Sequence, residues 1–205
     1  MGIRHWLWHW ALIIYFFLGS ISLAQTSKNH LKVGYGLYYP PGINIVYPDA
    51  ERVFRRGTSL SASIGRRLQT GYVMYFTVEK VQNNYEYKDR LKLFTGKQNF
   101  ILEDNFILSF EKPLIKYKKV HFTTGFGVLY KIWRLSEVEY IPIPDTNLLD
   151  VDILNESYNE LGGIGTLSLE IGKKDFLIGI EGQGFWLIGY EKLGYTLKPT
   201  LKVRF

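Results

Sequence analysis

From His30 to the end of the chain, apolar and polar residues alternate with a period of two, the mark of half-buried β-strands. The clearest case is the last segment, where Tyr195, Leu197, Pro199, Leu201, Val203 and Phe205 alternate with Thr196, Lys198, Thr200, Lys202 and Arg204. The same pattern predicts strands over 31–39, 59–68, 72–81, 105–114, 120–133, 161–171 and 176–189, eight with the last. No amphipathic helical period survives past the first thirty residues, which argues against a helix bundle.

The connections alternate in length. Gln69–Gly71, the Lys116–Lys119 region and Lys173–Lys174 read as tight turns, whereas about 40–58, 82–104 and 134–160 are long and 191–194 is short. A three-residue turn at 69–71 pairs Ile64 with Phe76 and Ser63 with Thr77. A two-residue turn at Lys173–Lys174 pairs Leu169 with Ile178 and Thr166 with Glu181. Like meets like in both, and a one-residue slip would set polar groups against apolar ones. The second register also places Gly163 opposite Gly184 and Gly165 opposite Gly182, a strip without side chains on the outward face. Such a strip either relieves barrel twist or admits another membrane protein or an acyl chain.

Alternation alone fits two barrels, a soluble carrier with an apolar interior and its inverse with apolar residues facing lipid. Three features select the inverse. Short and long connections alternate, aromatics (Tyr38, Tyr39, Tyr72, Tyr130, Trp186, Tyr190, Tyr195) gather near strand ends, and an amphipathic strand ends the chain at Phe205. The predicted fold is all-β: an eight-stranded antiparallel up-and-down transmembrane β-barrel.

The stretches FILSFEKPLIKYKKVHFTTGFGVLY (106–130) and YTLKPTLKVRF (195–205) resemble the small outer-membrane β-barrel family of Bacteroidota, and the resemblance extends over 30–205 as a pattern. It implies the outer membrane of a Gram-negative bacterium. It also implies that the barrel-assembly machinery reads Tyr195, Leu197, Leu201, Val203 and Phe205 by strand addition. Pro199 departs from that signal: it cannot donate a ladder hydrogen bond and should sit at a gap or bulge.

In such a barrel the inward set carries the bases Lys32, Arg67, Lys131, Lys198, Lys202 and Arg204 and the acids Glu79, Glu111, Glu170 and Glu181. Eight strands leave room only for side chains, and buried charges must be paired, so this set predicts a water-poor ion-paired plug. Trp133, Phe185 and Tyr38, set against Gly34, Gly36, Gly125 and Gly127, predict packing that closes the lumen. A narrow pore is the alternative. The outward charges Arg66, Lys112 and Lys80 fall near strand ends, where they cost little.

Residues 1–24 differ from the rest. Arg4 precedes the apolar run Ala11–Leu18, and Ser22-Leu23-Ala24 supplies small residues before Gln25, which together read as a cleavable signal peptide ahead of a 25–205 barrel. The apolar run is shorter than the ~20 residues of a membrane-spanning helix. The absence of Cys excludes a disulfide framework, a thiolate metal site and a Cys nucleophile. The net charge of +6, which becomes +5 without Arg4, comes without any Lys/Arg-rich run, so nucleic acid is not expected as a partner.

For chemistry, His121 with Thr123 and Glu111 is the one candidate catalytic set, and it would suit a lipid A deacylase or acyltransferase. By parity all three point into the lumen near the tight-turn rim, which leaves a structural histidine as the simpler expectation. Asp150, Asp152 and Glu156 offer hard oxygen ligands in a long acidic connection, without the glycine turn of a calcium loop. Basic residues of the first connection (Arg52, Arg55, Arg56) and the second (Lys88, Arg90, Lys92, Lys97) suit lipopolysaccharide or the acidic connection itself. The sequence thus predicts a non-enzymatic structural or accessory barrel without a cofactor. Its expected partners are lipid, lipopolysaccharide, the assembly machinery and a second outer-membrane protein.

Overall fold

The alternating segments form strands because each has one face for the interior and one for the surroundings. In a computed structural model the described residues are 29–40, 46–47, 50–54, 56–87, 100–142, 149–173, 175–188 and 193–205. Backbone alone is described at 46–47, 50–54, 85–87, 136–142 and 149–154, and the expected leader, 1–24, lies outside the described residues.

The strands are β1 (Asn29–Tyr39), β2 (Val46–Tyr47), β3 (Ala50–Phe54), β4 (Gly57–Arg67), β5 (Val73–Tyr87), β6 (Phe100–Tyr117), β7 (Val120–Pro142), β8 (Leu149–Lys173), β9 (Phe176–Leu187) and β10 (Gly194–Arg204). β1 pairs with β4 and with β10, each other barrel strand pairs with its chain neighbours, and all pairings are antiparallel. The result is a closed eight-stranded barrel, as the alternation predicts. The small β2–β3 ribbon extends from it along the far end of β5.

Facing directions follow the inverted arrangement. Leu201, Ile178 and Phe126 are 37%, 58% and 60% exposed, whereas Lys202, Glu181 and Thr123 are 4%, 1% and 5% exposed. On β6 the outward charges Asp104 and Lys112 bracket the apolar band at Phe106, Leu108 and Phe110. Eight residues at ~3.3 Å give roughly 26 Å along the strand, or ~20 Å once tilted, close to the height of a lipid-facing belt. Beyond the band, Asp104 is bonded to Arg134 and lies 3.8 Å from Lys80, an outward charged cluster at the end opposite the tight turns.

Three expectations need correction. The β4–β5 register is as predicted, with Ile64 opposite Phe76 and Ser63 opposite Thr77. β8 and β9 instead pair Lys173 with Phe176, one position on from the predicted turn, so Leu169 faces Ile180 and Thr166 faces Gln183. Moving a two-residue turn by one position shifts partners by two, which preserves every face and leaves the hydrophobic pattern unable to choose. Second, much of the expected connection 134–160 is strand: β7 and β8 run on together as a two-stranded ribbon past β6, whose last pair is Phe100 with Ser136. Third, β6 carries a bulge, its partners passing from Pro113–Thr123 to Ile115–Phe122. Proline has no N–H for the ladder, and an extra residue there costs no hydrogen bond that was available.

Pro199 behaves as expected. It stays paired with Ile180, but on its other side the β1–β10 ladder skips from Gly34–Thr200 to Leu37–Leu197. At the chain end, Asn29 and Phe205 exchange backbone hydrogen bonds of 2.7 and 3.0 Å.

Candidate functional site

The lumen has two storeys. Toward the tight-turn end it is ionic. Lys32 Nζ donates to Glu111 Oε1 and Glu181 Oε2, both at 2.6 Å, and Lys198 Nζ donates to Glu79 Oε1 at 2.9 Å and Gln183 Oε1 at 3.1 Å. Gln183 Nε2 donates to the remaining Glu181 oxygen at 2.8 Å, and Lys202 is ion-paired with Glu170. Every one of these charged groups is at most 5% exposed. The chain from Glu170 through Lys202, Glu111, Lys32, Glu181 and Lys198 to Glu79 is continuous, with links of at most 3.9 Å. That is the arrangement buried ions require, since each unpaired one would carry its full desolvation cost.

Toward the other end the filling is apolar. Tyr38, Val81, Ile107, Leu129, Ile164, Phe185 and Leu187 form one buried cluster in which the Tyr38 and Phe185 rings stack at 5.6 Å. A separate buried ion pair sits among these residues: Lys131, 1% exposed, contacts Glu103 at 2.7 Å and donates to the Tyr38 hydroxyl at 2.9 Å, which itself donates to Glu103 at 2.8 Å. Small residues make room for these groups. A Cβ on Gly34 would meet the Lys198 stem at 3.2 Å, and one on Gly125 would reach 2.8 Å from the Glu111 stem.

Of the predicted lumen set, Lys32, Glu79, Glu111, Lys131, Glu170, Glu181, Lys198 and Lys202 are buried together. Arg67 is exposed and Arg204 half-buried; both line the rim rather than the plug. Glu103 is absent from the predicted set because it falls in the expected connection 82–104, although its odd number shares the parity of Glu111 on β6. Tyr38, Trp133 and Phe185 are buried as predicted, whereas Ile107 and Leu129 were hidden, since Phe106-Ile107-Leu108 and Val128-Leu129-Tyr130 break the alternation.

The tight-turn rim opens into a vestibule of about 460 Å³ whose wall includes His30, Tyr75, Glu111, His121 and Thr123. His30 Nδ1 and the Tyr75 hydroxyl share a 3.0 Å hydrogen bond, and Lys32 lies 4.5 Å from the Tyr75 ring centre. The candidate catalytic residues do share this wall, but no hydrogen bond links His121 to Thr123 or Glu111. Pro113 is the register partner of Thr123, and Glu111 that of Gly125. The base–nucleophile contact that acyl chemistry needs is therefore not made.

The candidate metal residues fall on the β8 strand rather than in a loop. Asp150 and Glu156 lie six residues apart, about 20 Å along an extended strand, too far for one ion to bind both. Among the described residues no group of three metal-ligating side chains exists.

On the lipid face the corrected register rearranges the glycine strip. Gly165 faces Gly184, Gly182 faces Leu167, and Gly163 faces Trp186, whose indole covers it. Gly165, Gly182 and Gly184 then floor an open groove of about 600 Å³ between Leu167, Tyr195 and Leu197. Tyr195 of the predicted assembly signal stacks on Tyr39 at 4.4 Å, and Phe205 is 67% exposed.

No protein-family model matches the sequence, and no curated protein matches it. Solved structures do resemble the fold. The outer membrane protein OprG from Pseudomonas aeruginosa aligns with a TM-score of 0.60 at 10% identity, covering 87% of this chain and 96% of that one. Neisserial surface protein A aligns with a TM-score of 0.54 at 9% identity, covering 88% of this chain and 100% of its own. At such identities the likeness is one of fold: this chain has the architecture of the small eight-stranded outer-membrane β-barrels.

Proposed function

We propose that the chain is a non-enzymatic outer-membrane barrel of a Gram-negative bacterium, of the kind found in Bacteroidota, acting as a structural or accessory protein through its surfaces. The observation that carries this reading is the filled lumen. An ion-paired storey and an apolar one lie in series, so solute has no route through and function falls to the exterior. The tight-turn rim then faces the periplasm and the β7–β8 ribbon projects outward from the cell. The ribbon and the groove over Gly165, Gly182 and Gly184 are the proposed contacts for a second outer-membrane protein or an ordered acyl chain. Tyr195, Leu197, Leu201, Val203 and Phe205 are proposed as the stretch read by the assembly machinery.

Planar-bilayer recording tests the reading against a pore: the purified chain should give no discrete conductance steps, and steady unitary channels would overturn it. The lipid A-modifying alternative predicts altered lipid A mass spectra when the protein is expressed, whereas this reading predicts identical spectra. For the groove, the pair Gly165→Leu and Gly182→Leu should preserve folding while releasing a partner that co-purifies in mild detergent. Retention of that partner would remove the groove from the proposal.

A further inference from the structure

The vestibule at the tight-turn rim gathers more positive charge than its walls neutralise. Two carboxylates line it, and both are already engaged: Glu111 by Lys32 at 2.6 Å and Glu170 by Lys202. Four cations face it from the lumen side, namely Arg67, Lys116, Lys202 and Arg204, and Lys112 touches its edge from the outward face of β6. Glu111 is answered by Lys32 and Glu170 by Lys202, so Arg67 and Lys116 remain as positive charge in excess. Lys112 is turned toward the Tyr72 ring at 5.2 Å, and Lys202 is held by its carboxylate. Arg67 and Lys116 make no ion pair or hydrogen bond with any described residue, and neither does His121, which is 5% exposed on the same wall.

The fold places Lys116 there by a specific device. On β6 the even positions from 102 to 112 face outward, and unbroken alternation would turn Lys116 to lipid as well. The bulge between Pro113 and Ile115 reverses the parity and sets Lys116 opposite His121, on the inward face. Bulges commonly re-aim a side chain in this way. The floor is the Lys202–Glu170 pair, and one wall is Tyr75, whose ring lies between Lys32 at 4.5 Å and Lys202 at 5.5 Å. A concave, low-dielectric wall focuses the field of converging cations, which favours a compact multivalent anion over a single negative charge.

We propose that this vestibule binds a small polyvalent oxyanion, a phosphate or diphosphate group, contacted by Arg67, Lys116 and His121 and excluded from the lumen by the ion-paired floor. The group is either free in solution or carried on a lipid headgroup that reaches over the rim. Calorimetric titration of the folded barrel in phosphatidylcholine nanodiscs with inorganic diphosphate should show saturable one-site binding. The pair Arg67→Gln and Lys116→Gln should weaken it at least tenfold, and Lys116→Gln alone by a smaller factor. The pair Lys118→Gln and Lys119→Gln, which removes the same charge from the same rim outside the vestibule, should leave it unchanged. Absence of saturable binding, or equal weakening by the two pairs, would overturn the site and leave only diffuse rim charge. Nanodiscs containing phosphatidic acid, a phosphomonoester that carries up to two charges, separate the sources: diphosphate affinity well below that in phosphatidylglycerol discs of matched surface charge assigns the vestibule to a headgroup, and equal affinity assigns it to a free anion.

Discussion

Replacing Lys32 by methionine removes the central cation of the interior while keeping the volume of its stem. Its ammonium lies 2.6 Å from both Glu111 and Glu181 and is 5% exposed as part of its residue. After the change Glu181 retains Gln183 at 2.8 Å and Lys198 at 3.7 Å, and Glu111 retains only Lys202 at 3.9 Å. Two carboxylates thus lose their closest counter-ion in a lumen without room to hydrate them. Breaking a buried pair from one side costs about 3–5 kcal/mol. With a urea slope of about 2 kcal/mol per M, the unfolding midpoint should fall by roughly 2 M. Tryptophan fluorescence during urea titration of the barrel in lipid vesicles reads this directly. Adding Glu111→Gln and Glu181→Gln to Lys32→Met should restore most of the loss, because the orphaned charges go with the cation. A shift below about 0.5 M for Lys32→Met would refute the reasoning: it is what a hydrated ion pair gives, worth ~0–1 kcal/mol, and it would mean a water-filled lumen.

Other consequences follow from the same geometry. Ile180→Arg, on the lipid face of β9 and 57% exposed, should cost about 2–4 kcal/mol in vesicle unfolding if it lies near the midplane, whereas a charge placed at the rim beside Arg66 should cost ~0–1. Gly184→Ala should be neutral or stabilising by under ~1 kcal/mol, because its Cβ would meet nothing within 4 Å. Gly36→Ala, whose Cβ would run into the Lys198 backbone, should sharply lower the yield of heat-resistant folded barrel on electrophoresis. Pro199→Val restores an N–H opposite the gap in the β1–β10 ladder and should raise the urea midpoint by the equivalent of about 1 kcal/mol.

How much of this the residues disclose depends on which constraint acts where. Between the rims, lipid outside and packed ions inside impose strict alternation, and there the faces of Leu201 against Lys202 and of Ile178 against Glu181 are legible. Where β7 and β8 run on past β6 the alternation weakens, and the strands read as a loop. The β8–β9 turn was misplaced by one residue because that shift changes partners without changing faces, and it moved Gly163 from Gly184 to Trp186. Pro113 lies inside the predicted strand 105–114, and that it carries a bulge and turns Lys116 inward was not legible, since parity does not announce its own reversal. The vestibule itself was partly legible: His121, Thr123 and Glu111 are brought to one wall as parity implies, without the contacts that would make them a catalytic set.

The central claim is that apolar side chains face hydrocarbon and ionic ones are sealed inside. The chain has no Cys, so single spin-labelled cysteines can be placed along β10 without background. In vesicles, labels at Leu197, Pro199, Leu201 and Val203 should be relaxed strongly by oxygen, which concentrates in lipid. Labels at Lys198, Thr200 and Lys202 should be reached by neither oxygen nor a water-soluble nickel chelate. Oxygen access at the second set, or chelate access at the first, would contradict the account.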